Sequence, residues 1–179
     1  MNPLAELTAS FRGWSDILSG RPGAAAQFRT DAGGVIVASL TLLVAILLSV
    51  AAQSAGTGIP TLMQFVFGLI GQAITVVLLA FVMARALRVL KAQAGINALL
   101  VPVLYALSYM FVVAIPLVLI GPNAALLAVL GLGYLIYRAG RALAGMKIGI
   151  SIAFAGLCVI VLVVVPFGLY MLLSLLPSA

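Results

Sequence analysis

Five long apolar runs, separated by short flanks that are alternately basic and neutral, constrain this chain more than any other feature. The runs cover roughly 33–52, 60–84, 98–120, 123–143 and 148–176. An apolar helix needs about 20 residues to cross a hydrocarbon core of ~30 Å. Inside a bilayer each run must satisfy its own backbone N–H and C=O groups, which favours helices over any open strand. The expected fold is therefore all-α: a polytopic membrane helix bundle with about five transmembrane helices. A 1–32 amino-terminal segment precedes the bundle and a short tail, 177–179, follows it.

The flanks carry the orientation. Arg12, Arg21 and Arg29 precede the first run; Arg85, Arg88 and Lys91 follow the second; Arg138 and Arg141 close the fourth and Lys147 follows it. These are all nine basic residues, and the other three flanks have none. The positive-inside rule then puts the amino terminus in the cytoplasm and the carboxyl terminus in the periplasm, for a multi-pass protein of a bacterial inner (plasma) membrane. A net charge of +6 would suit nucleic acid if it formed one patch, but short clusters between apolar runs do not, so no nucleic acid is expected. The two later clusters should attract anionic headgroups at about 1 kcal/mol per residue, although orientation alone would also explain them.

Residue inventory bounds the chemistry. The chain has no histidine, and its three acids (Glu6, Asp16 and Asp31) all precede the first run. A metal site or an acid/base pair within the membrane has no raw material, so no catalytic, metal or cofactor residues are expected and the chain is not read as an enzyme. Proton-coupled carriers use ionisable groups inside their spans, and none occurs here. The single Cys158 allows no intramolecular disulfide.

Residues 2–19 have the pattern of a short amphipathic helix, with Asn2 as cap, Pro3 at the first helical position and Gly20 with Pro22 ending it. Leu4, Leu7, Phe11, Trp14 and Leu18 share an arc of roughly 80° at helical spacing. Two readings stand side by side: a helix packed under the bundle, or one lying among headgroups with Phe11 and Trp14 as interfacial anchors. The apolar core begins too late for a secretory signal, so the first span is expected to be an uncleaved anchor.

Within the second span, Thr61, Gln64, Gly68, Gly71, Gln72 and Thr75 fall within an arc of roughly 100°. Lipid-facing amides are costly, and small residues let membrane helices approach closely. The stripe is therefore read as a helix-packing seam, with a polar pocket or solute path in the outer half of the membrane as the alternative. Gly145, Gly149, Ala153 and Gly156 form a similar small-residue ridge at the start of the fifth span. Such spacing more often serves contacts within a chain than a dimer interface. Pro102 and Pro116 should bend the third span, and Gly121-Pro122-Asn123 marks a tight turn into the fourth.

The segment LLVPVLYALSYMFVVAIPLVLIG (99–121) and the passage YLIYRAGRALAGMKIGISIAF (134–154), with FRGWSDIL (11–18) before the spans, resemble the Yip-domain family, the Ypt/Rab-interacting membrane proteins and their bacterial relatives. The resemblance implies a five-span fold with a cytoplasmic amino terminus. Eukaryotic members contact small GTPases through a long cytoplasmic region. About 32 residues precede the first span here, so GTPase binding is not carried over, and no catalytic residues transfer. The expected function is a non-enzymatic membrane-organising or accessory protein that contacts lipid, a membrane-protein partner or a second copy of itself. A small transporter or channel with its path along the second span is the alternative.

Overall fold

The computed structural model describes residues 3–57, 61–90, 94–120 and 122–174. Six helices account for nearly all of them, with no strand among the described residues: α1 (Pro3–Ser19), α2 (Ala32–Thr57), α3 (Leu62–Val89), α4 (Ile96–Ile120), α5 (Pro122–Ala144) and α6 (Ile148–Ser174). Five of them, α2 to α6, are long and apolar enough to cross a membrane. The chain is a multi-pass membrane protein, an all-α bundle with a shorter helix at its amino-terminal end.

Helix bounds depart from the apolar runs in an informative way. The first helix of the bundle continues to Thr57 through residues expected to form a loop, and α3 continues past Arg85 and Arg88 to Val89. Loss of hydrophobicity does not end a helix. An end needs a breaker or a cap, and residues 51–55 and 85–89 contain none. Gly95 lies just before α4, and Gly145, with φ +62°, sits just past the end of α5, where the left-handed conformation favours glycine. Pro122 opens α5, where its missing N–H costs nothing.

The core is built around α4. Residues 99–108 are buried without a break, which means that this part of the helix is enclosed on every side, whereas Val112, Val113 and Ile120 further along are exposed. It packs on α2, on α5 and on α3, while α6 closes against both α5 and α3. Leu79, Met83, Leu104 and Ile136 are among the fully buried side chains that fill the space between them. Gly140 gives α5 and α6 their closest approach. A Cβ there would lie 2.7 Å from Ser151 Oγ, and that hydroxyl donates to the Tyr137 carbonyl at 2.7 Å.

At the end of the bundle that carries the basic clusters, α1 packs under α4 and α5. A 3-10 turn (Ala24–Gln27) then leads into α2. Arg29 holds the junction: it pairs with Glu6 of α1 at 3.0 Å and with Asp31 at 2.8 Å. Asp31 also accepts from the Gly34 N–H at 2.8 Å, capping the first turn of α2.

Candidate functional site

Two regions concentrate the residues singled out in the sequence: the underside formed by α1, and the ring of α3, α4, α5 and α6 in the far half of the bundle.

On the underside, Trp14 and Phe11 separate. Trp14 is only 4% exposed, stands edge-on to Phe28 at 6.2 Å, and donates its indole N–H to the Pro102 carbonyl at 3.2 Å. It is a plug in the bundle, and the expectation of a headgroup anchor is corrected for this residue. Its ring fills a slot beside α4 and its one donor is already used. Phe11 is 67% exposed, its ring edge 6.3 Å from Tyr109. Ser10, Gly13, Trp14 and Ile17 make the buried face of α1. Leu4, Phe11 and Leu18 lie roughly 100° around the helix from that face and stay uncovered. Ser10 and the Tyr109 hydroxyl share a hydrogen bond, and Arg138 donates to the Ile17 and Leu18 carbonyls. The helix is thus fastened at both ends, with an apolar edge left over.

The basic residues differ in what they touch. Arg138 is half-buried and tied to α1, while Arg141 donates to the Met146 carbonyl at 3.1 Å, just past the end of its helix. Arg85 rests over the Phe81 ring at 5.1 Å from its centroid; Arg88 and Lys147 are exposed. Lys91 lies outside the described residues. Outside the spans, the Arg29 guanidinium first, and then the Gly34 N–H, hold the Asp31 carboxyl below the usual carboxylate range. Arg29 is in turn pushed up by its bonds to Asp31 and Glu6.

The stripe on α3 is split by the structure. Thr75 is buried, with its hydroxyl turned back to the Gly71 carbonyl at 2.8 Å. A Cβ on Gly71 would meet Leu169 of α6 at an ordinary 3.6 Å, and Gln72 is half-buried. Gly68 and Thr61 are exposed, and a Cβ on Gly68 would meet nothing within 4 Å. The side chain of Gln64 lies outside the described residues. Gln72 and Thr75 border a cavity of about 270 Å³ that Met110, Phe111, Leu132 and Leu162 help to enclose. Gln72 is the one lining side chain with an unspent polar group, so the cavity is apolar with a single amide in its wall.

The ridge on α6 does not do what its spacing suggested. Gly145, Gly149, Ala153 and Gly156 are all exposed, and a Cβ on Gly149 or Gly156 would meet nothing within 4 Å. The expected contact within the chain is corrected: these residues lie on the outside of the bundle. The close approach was instead at Gly140 and Ser151, which the small-residue spacing missed. Gly140 stands one turn before the Gly145 stop in YRAGRALAG, and only its neighbour across the hairpin shows why it is glycine.

No group of His, Cys, Asp and Glu among the described residues could hold a metal ion, and Cys158 is buried as a free thiol. Compared with protein-family models, curated proteins and solved structures, the chain matches none.

Proposed function

We propose that this is a non-enzymatic protein of a bacterial inner membrane that works through contacts, organising a membrane assembly or serving as its accessory subunit. Its amino terminus is cytoplasmic and its carboxyl terminus periplasmic in this proposal, and its likeness to Yip-domain proteins is one of architecture. One observation carries it: the small-residue ridge of α6 faces outward, with open space over Gly149 and Gly156. In lipid, where apolar side chains gain little by meeting each other, a smooth small-residue face is where another helix can approach most closely. The cavity beside α3 weighs against a solute path, because the Thr75 hydroxyl is spent on its own helix and the Gln72 amide is the one polar group left in an otherwise apolar wall.

Ala153→Cys tests the proposal. Cys158 is fully buried, so the new thiol would be the accessible one in the chain. Oxidative or short-arm crosslinking in the native membrane should yield a discrete adduct, either a dimer of this chain or a complex with one partner, identified by mass spectrometry. The monomer alone, with no stable partner in mild detergent, would refute the protein contacts and leave contact with lipid alone.

A further inference from the structure

The underside contains a second cavity, of about 500 Å³, between the end of α1 and the last turns of α5. Its size is in the range of small-molecule sites, roughly 300–1,000 Å³. Three arginines line it: Arg21 from the loop after α1, and Arg138 and Arg141 from α5. Tyr137 and the apolar Ile17, Ala24 and Ala142 supply part of the remaining wall. Cationic side chains that share a cavity repel one another, so holding three of them there calls for a cause.

Two of the three are positioned by the fold. Arg138 spends one nitrogen on the Ile17 and Leu18 carbonyls and donates from a second to the Tyr134 hydroxyl at 3.4 Å, and Arg141 spends one on the Met146 carbonyl. Neither is paired with a carboxylate among the described residues, so both guanidiniums keep their full charge and further N–H donors. Arg21 is 3.5 Å from Asp16, and that acid is the sole carboxylate paired with any of the three. The cavity wall therefore has a surplus of two positive charges, with fixed planar donors of the kind that grip phosphate oxygens two at a time. The cavity stands at the basic end of the spans, beside the exposed Tyr134 and the uncovered Leu18, where a headgroup would lie.

We infer that this cavity binds a phosphate-bearing anion, and that the occupant is the headgroup of an anionic phospholipid from the adjoining leaflet. The inference deepens the lipid side of the proposed contact role and rests on it. It does not depend on the α6 ridge, so an absence of crosslinks at Ala153→Cys would leave it standing.

The test uses the full chain, purified in zwitterionic detergent and given phosphatidylglycerol, with bound lipid counted by native mass spectrometry. Arg21→Gln with Arg141→Gln should lower retention of one phosphatidylglycerol about tenfold, the scale of losing charge-assisted phosphate bonds. Arg85→Gln with Arg88→Gln removes the same charge elsewhere and should change retention less than about twofold. Equal losses in the two pairs would overturn the site in favour of diffuse attraction, and unchanged retention in the first pair would overturn it outright. If the first pair fails to fold, Arg141→Lys keeps the charge without the planar fork and should still lower retention severalfold. Unchanged retention there would also overturn the site. Displacement of lipid by millimolar glycerol 3-phosphate or inorganic phosphate would support the phosphate site with a soluble source. Resistance to both supports the lipid.

Discussion

Two glycines show how differently one residue type can matter in this chain. A Cβ on Gly34 would lie 1.8 Å from the Arg29 carbonyl oxygen, a backbone atom that cannot swing aside. Gly34→Ala should therefore cost on the order of 3 kcal/mol or prevent folding, measured by denaturant or thermal unfolding in detergent. Gly68→Ala meets open space and should stay within about 0.5 kcal/mol or stabilise α3 slightly. The sequence pointed to Gly68, Gly149 and Gly156, whereas the close approaches are at Gly34 and Gly140. Spacing along one helix reveals a smooth face but not the neighbour that presses on it. Asp31 gives a second test. Its carboxyl titrates below the usual range because Arg29 and the Gly34 N–H favour the charged form. That contribution is present above the ordinary carboxylate pKa and is lost as the pH falls through the lowered value. Unfolding measured down an acid series should show the loss, and Asp31→Asn should flatten the dependence over that window.

Among elements, the existence and type of the five long helices could be read from apolar length, because a bilayer permits little else. Their ends could not, since α2 and α3 run on past the apolar residues until something stops them. The position of α1 was half legible. Its apolar arc was visible, yet the side it buries is turned about a quarter of a circle from that arc, set by Ser10 meeting Tyr109 of α4, Ile17 meeting Arg138 of α5 and Gly13 facing Phe28. Arg138 was visible only as one member of a basic cluster, because its partners are carbonyls some 120 residues away in the chain. Arg138→Gln should loosen the end of α1. Trp14, the single tryptophan, reports this directly: its emission should shift to the red, and the 19–31 linker should become more open to protease. An unshifted spectrum with unchanged cleavage would mean that Trp14 and Ser10 hold α1 without the arginine.

For the molecule as a whole, the alternation of basic and neutral flanks was the most legible property. It specifies an odd number of crossings and opposite sides for the two termini. A periplasm-active reporter fused after Ala179 should work, and one placed after Arg88 should stay silent. Activity at Arg88 would invert the orientation. The ring of α3, α4, α5 and α6 around its apolar cavity was not legible, because it depends on which helices become neighbours rather than on any one of them.

The fastening of α1 has a consequence for how the protein is made. Helix α1 has its sockets at Pro102, Tyr109 and Arg138, and the last of these is 121 residues downstream of Ile17. At roughly 5–20 residues per second, α1 waits on the order of 6–24 s before Arg138 exists to receive it. Its fastening is therefore completed only once α5 has emerged, and a chain whose translation stops before Arg138 should be recognisable by an α1 whose end is still loose.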